Sequence, residues 1–214
     1  MRSVLSADLS TFAGRQLAVP LPDDWVSTGL VMERLGLTQS LATQLMVSEL
    51  AGDLAAREPA ADAPEQKWVI RAGRKLLMPR HGLDLLTRVP LANEDPGPYI
   101  NVRLGPGTLT DRPEDPRRYL GFHRAFTAQE RYDAATEWWY FKRTEEWIGR
   151  PFVASLAGFV TLAGRIERVT HHPTREVVSF EIDTADEHAL RAFSGARIPV
   201  HPGGPALKIQ PRST

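Results

Sequence analysis

The chain of 214 residues is 42% apolar and 24% charged, and its 26 basic side chains are balanced by 26 acidic ones. A net charge of zero argues against coating of nucleic acid by bulk electrostatics, so any anionic partner must be met by local groups of cations. The absence of cysteine excludes disulfide scaffolds, thiol catalysis and cysteine-ligated zinc.

The N-terminal arm, residues 1–26, carries one early arginine but lacks the apolar core of a secretory signal. Elsewhere, no apolar run approaches the roughly 20 residues needed to span a bilayer. We therefore expect a cytoplasmic protein that has no membrane partner.

Residues 27–89 are predicted to form a first domain that begins with two helices. Apolar residues at helical spacing indicate a helix before Gly36, and Thr38 can cap a second helix whose apolar positions continue to Leu50. The segment ERLGLTQSLATQLMVSEL resembles the core of bacterial helix-turn-helix regulators in its apolar positions and its glycine turn. It departs from them in the second helix, which offers no Lys or Arg for DNA contact.

The same domain continues through an Ala/Pro linker, REPAADAPEQ, into a basic segment that is predicted to form a β-hairpin around Ala72 and Gly73. Its cations Arg71, Arg74 and Lys75 have no acidic residue among them. A helix pair followed by such a hairpin resembles a winged helix, in which the wing contacts the phosphate backbone. The alternative is a solvated hairpin face on a small helical cap.

Residues 90–118 are predicted to be a connector, because prolines remove the backbone donors that a sheet needs. The exception is the alternating run YINVRL, residues 99–104, which predicts one strand. We place the boundary between the two domains in this connector.

The second domain, residues 119–210, is predicted to open with a helix. Thr127 and Glu130 form a capping-box pattern, which predicts a helix from Ala128 to about Phe141. On such a helix the adjacent rings of Trp138 and Trp139 would lie about 100° apart.

Three strands are then predicted at residues 152–156, 159–169 and 177–182, with a tight turn at Gly158 and a bulge or close backbone approach at Gly164. A short helix at residues 186–193 and an extended return complete the domain. This order of elements, with AGRIERV followed by VVSFEI, resembles the PUA-like barrels, including EVE and ASCH domains. The resemblance implies binding of RNA or of modified bases in DNA.

The predicted fold class is therefore α+β, with a small winged-helix-like domain followed by a PUA-like curled β-sheet or barrel and flanking helices. The candidate base-stacking rings are Trp139, Tyr140 and Trp147, because stacking on an exposed ring contributes about 1–3 kcal/mol per base. The nearby cations that could meet phosphates are Lys142, Arg143 and Arg150. Packing into the core is the alternative for each tryptophan.

Catalytic and cofactor signatures are absent from the sequence, so no cofactor or metal is predicted. His171 and His172 are adjacent without a metal-binding spacing, and the glycines of LGPGTL lack the lysine of a P-loop. The leading hypothesis is a protein that binds DNA or RNA, in which the hairpin contacts backbone and the second domain holds a modified or flipped base. One alternative is a regulatory protein-interaction module, in which the helix pair forms a homodimer or another partner surface. The other is a hydrolase that combines His171, His172 or His201 with Asp183 or Glu181.

Overall fold

The computed structural model describes residues 24–56, 67–92, 97–111, 115, 117–201 and 203–210. The predicted arm before residue 24 and the Ala/Pro linker, residues 57–66, lie outside this part of the chain. The described residues form a mixed α+β fold with three separate sheets. None of its helices has the length and apolar character that a transmembrane crossing requires.

Four short helices form the N-terminal part of the structure: α1 Thr28–Leu35, α2 Gln39–Val47, α3 Leu50–Ala55 and α4 Arg80–Arg88. The two predicted boundaries are confirmed, because Gly36 ends α1 in the left-handed region and the Thr38 hydroxyl accepts a hydrogen bond from the backbone N–H of Leu41. The predicted second helix does not reach Leu50 unbroken. Glu49 adopts a φ of 53°, and this turn separates α2 from α3.

A three-stranded antiparallel sheet covers these helices, with strands β1 Trp25–Ser27, β2 Ile70–Ala72 and β3 Lys75–Pro79 in the order β1-β3-β2. The predicted basic hairpin is therefore confirmed as β2 and β3. The sequence did not indicate β1, which lies at the end of the predicted arm, or α4, which directly follows β3.

The main sheet has five strands: β4 Tyr99–Leu104, β7 Pro151–Leu156, β8 Phe159–His171, β9 Val178–Asp183 and β10 Ala206–Ile209. Their order is β10-β4-β7-β8-β9, and only the β4–β7 pair is parallel. All five strands are confirmed in type, although the predicted barrel does not close among the described residues. A separate two-stranded ribbon joins β5 Thr108–Leu109 to β6 Tyr119–Leu120.

The main sheet is buried on both faces. One face contributes Ile100, Val102 and Phe152 to a core that is continuous with the N-terminal helices. The other face packs Tyr99 and Val153 against helix α6, Glu187–Phe193. The connector strand β4 is thus an interior strand of the sheet.

Helix α5 spans Ala128–Thr136 and begins at the predicted capping box, in which Thr127 and Glu130 exchange both hydrogen bonds. The helix was predicted to continue to Phe141, and this prediction is wrong. It ends at Thr136 because the chain then turns, and Trp139 pairs with Val178 at the edge of β9. A longer helix would leave the backbone N–H and carbonyl of Val178 without these hydrogen-bond partners.

Candidate nucleic-acid interface

The basic hairpin presents its three predicted cations to solvent. Arg71 lies on β2, while Arg74 and Lys75 lie at the turn into β3, and all three side chains are exposed. Gly73 permits this tight turn because it adopts a φ of 60°. Within the described part of the chain, none of the three cations makes an ion pair or a side-chain hydrogen bond, so their charges remain available to an anionic partner.

The second candidate surface is the segment from residue 137 to residue 150, which we call the aromatic–basic loop. Trp139 fixes its start, because its backbone N–H donates to the Val178 carbonyl at 2.8 Å and its carbonyl accepts from the Val178 N–H at 2.9 Å. Trp138 adopts a φ of 59° at this entry, which is a strained conformation for an aromatic residue. The loop therefore begins as a short extension of the main sheet beside β9.

The tryptophans of the loop differ in exposure. Trp139 is half-buried against the core, and its indole N–H donates to the Ala135 carbonyl at 2.6 Å. The ring of Trp138 is also half-buried and meets the ring of His172 edge-on, with 4.7 Å between centroids. Both rings are thus largely committed to contacts within the protein.

Trp147 is only 3% exposed and belongs to the main core. The Lys208 ammonium lies 5.3 Å from its ring centroid, the Arg150 guanidinium lies 5.9 Å from it, and its indole N–H donates to Glu146 at 3.1 Å. Of the two interpretations that the sequence left open for Trp147, this burial favours packing over base stacking.

Tyr140 is the large aromatic side chain of the loop that remains open, with 55% of its surface exposed. The Lys142 ammonium lies 5.8 Å from its ring centroid, and hydrogen bonding to Tyr140 raises the pKa of Lys142 above its ordinary value. Arg143 and Arg150 are exposed on the same loop. The loop thus presents one accessible ring with a lysine beside it and two further exposed arginines, a combination suited to a base with its adjacent phosphates.

Lys208 on β10 holds the aromatic–basic loop in place. Its ammonium donates to the carbonyl of Lys142 at 2.5 Å, to the carbonyl of Arg143 at 2.7 Å and to the Glu146 carboxylate at 3.1 Å. The last contact is the main reason that the pKa of Glu146 is lowered. The sequence analysis missed Lys208, because a single lysine in a short strand gives no sign that it faces a distant loop.

A histidine also ties this loop to the sheet. His171 lies at the end of β8, and its Nε2 is 2.6 Å from the Glu145 carboxylate. The pKa of Glu145 is lowered chiefly by a backbone hydrogen bond and secondly by His171. The loop is therefore held to the sheet near its start and at its middle, which reduces the conformational freedom that a ligand would have to restrict.

The hydrolase hypothesis required a histidine close to Asp183 or Glu181. The structure instead pairs Asp183 with Arg165 and Glu181 with Arg168. No group of three or more His, Asp or Glu side chains in the described ranges could hold a metal ion.

Comparison of the chain with family models, with curated proteins and with solved structures finds no match. Function must therefore follow from the chemistry of the hairpin and of the aromatic–basic loop.

Proposed function

We propose that this protein binds nucleic acid and holds one base against Tyr140. The observation that carries the proposal is the exposed Tyr140 ring on a braced loop that also presents Lys142, Arg143 and Arg150. A base stacked on Tyr140 would bring its flanking phosphates to these cations. The exposed hairpin cations would add contacts to backbone that position the partner without reading its sequence.

The proposed architecture is a winged-helix-like unit joined to a PUA-like unit. The order of three helices followed by a basic hairpin supports the first part, and an open sheet with flanking helices supports the second. Helix α3, which directly precedes the hairpin in the described order, is buried over its first four residues, Leu50–Asp53. Since α2, the helix that would contact DNA, carries no Lys or Arg, recognition of a base would depend on Tyr140.

Fluorescence anisotropy with labelled single-stranded and duplex oligonucleotides, each titrated at several salt concentrations, tests the proposal. Tyr140→Ala should weaken binding by about 1–3 kcal/mol, or roughly 5- to 150-fold, because it removes the stacking surface. Tyr140→Phe should bind nearly as tightly as the wild type. Ile148→Ala is the matched control, because Ile148 is a 48% exposed apolar side chain of the same loop.

Neutralising the hairpin with Arg71→Gln, Arg74→Gln and Lys75→Gln should reduce the slope of log affinity against log salt by up to about 3, or roughly 0.9 per lost phosphate contact. The proposal is wrong if the wild type binds no oligonucleotide, or if its binding is independent of salt. Equal affinity of Tyr140→Ala and the wild type would remove the stacking role.

A protein-interaction module is the second candidate function, and the exposed apolar side chain of Leu91 favours it. Leu91 is 67% exposed. The next residue, Ala92, donates its backbone N–H to the carbonyl of Arg197, three residues before Val200. Val200 is also exposed. Light scattering tests this candidate, because a stable dimer that Leu91→Asp dissociates would support it, whereas a monomer at all concentrations would exclude a homodimer.

A further inference from the structure

A cleft between α1 and α4 is a concentration of cations that the sequence did not reveal. It encloses about 430 Å³ and is lined by Arg34, Arg80, Leu83, Asp84, Thr87 and Arg88. Leu83 is buried at its base, whereas the charged side chains are exposed at its walls. The cleft thus has a buried leucine in its lining and charged side chains at its rim.

The charges in this cleft do not balance. Arg34 and Arg80 share this lining with one carboxylate, Asp84, so these three side chains carry an excess of one positive charge, whereas Arg88, which also lines the cleft, takes part in another interaction. Arg34 and Arg80 make no ion pair or side-chain hydrogen bond with any residue that the structure describes. Like charges this close repel each other, and a bound anion would turn that repulsion into attraction. Arginine favours phosphate in particular, since its planar fork can bind two oxygens at once.

The charged residues of α4 that line the cleft form a row, which we call the track. Arg80, Asp84 and Arg88 follow one another at intervals of four residues on α4, which places them on one face over about 12 Å. A nucleic-acid strand presents one phosphate for about every 3.4 Å of helix axis, so a track of this length can meet several phosphates. A single small anion would occupy only one end of it.

The track also adjoins the basic hairpin along the chain. Strand β3 connects Lys75, at the tip of the basic hairpin, to Arg80, at the start of α4. Five residue steps of about 3.3 Å separate these two cations by roughly 16 Å. One extended backbone could therefore reach both the hairpin and the cleft.

We infer that the α1–α4 cleft binds the phosphodiester backbone of the nucleic acid, at a contact distinct from the hairpin and from the aromatic–basic loop. This inference rests on the proposed function. The cleft would add affinity without sequence preference, and its contribution would fall as salt rises.

The decisive experiment compares Arg34→Gln/Arg80→Gln with the wild type in the same salt-dependent anisotropy titration. The double variant should lose about 1–2 units of the slope of log affinity against log salt, and its affinity at low salt should fall by roughly tenfold or more. Asp84→Asn should change affinity in the opposite direction, raising it severalfold, because it removes the one carboxylate of the lining. Arg191→Gln is the control, since Arg191 is an exposed arginine on α6.

The outcomes separate this inference from the proposed function. Salt-dependent binding by the wild type that neither the double variant nor Asp84→Asn alters would overturn the cleft and leave the proposed function standing. No binding by the wild type would overturn both. Circular dichroism melting of each variant verifies that it is folded, and the Asp84→Asn result tests the cleft even if the double variant does not fold.

Discussion

Replacing Trp147 by alanine should lower the free energy of unfolding, and should not merely weaken a binding surface. Only 3% of Trp147 remains exposed. A buried tryptophan removes about 150–250 Å² from water, which at about 25 cal/mol per Å² corresponds to at most roughly 4–6 kcal/mol. Large-to-small substitutions of this kind in cores cost about 3–5 kcal/mol, and we expect the free energy of unfolding to fall by that amount.

Urea unfolding followed by far-ultraviolet circular dichroism measures this loss without depending on tryptophan fluorescence. Trp147→Phe should recover much of the stability, because it keeps an aromatic ring near Lys208 and Arg150. Ile148→Ala, next in the chain and half exposed, should change the free energy of unfolding by no more than about 0.5 kcal/mol. If Trp147→Ala is as stable as the wild type and loses nucleic-acid binding, the ring is a stacking platform and its assignment to the core is refuted.

Two further predictions concern other buried interactions. The Arg117 guanidinium binds both oxygens of buried Asp115, and this contact lowers the pKa of that carboxyl. Stability from ionised Asp115 is therefore present above its unfolded pKa of about 3.9 and lost as pH falls toward its lower folded pKa. Asp115→Asn should flatten the decline of the urea midpoint over this range, and an unchanged decline would contradict the assignment. Gly164→Ala should lower the melting temperature, because a Cβ there would lie 2.6 Å from the Asp183 carbonyl oxygen; a neutral effect would show that the strands can separate.

Elements that are defined by local chemistry were predictable from the sequence. The capping box of Thr127 and Glu130 specifies where α5 begins, and the alternation of Val178, Phe180 and Ile182 specifies a strand with one buried face. Gly158 marks the tight turn between β7 and β8, where it adopts a φ of 89°. Each of these signals lies within a few residues of the feature that it determines.

Elements that depend on distant partners were not predictable. Helix α4 contains Gly82, which reads as a helix breaker in the sequence. A Cβ at this position would lie within about 3.3 Å of Met78, Ala51 and Trp68, so any other residue would require these neighbours to shift, and glycine lets α4 pack closely on them. Strand β1 likewise exists only because β3 pairs with it.

The candidate site, too, was predictable only where residues close together in the sequence determine it. The sequence identified the concentration of aromatic and basic residues, but it placed Trp138 and Trp139 on a helix that ends before them. The exposure of Trp138 and Trp139 depends on the pairing of Trp139 with Val178. The exposure of Trp147 depends on its burial beneath Lys208. The α1–α4 cleft was missed because Arg34 and Arg80 are separated by more than 40 residues and meet only through packing.

The position of β10 affects how the chain folds during its synthesis. Strand β10 pairs with β4, about 100 residues earlier, and it carries the lysine that braces the aromatic–basic loop. At about 5–20 residues per second, a ribosome needs roughly 5–20 s to pass from one strand to the other. During that interval the edge of β4 is unpaired and open to other chains, as exposed strand edges are. The aromatic–basic loop therefore gains its Lys208 contacts only after β10 has docked on β4.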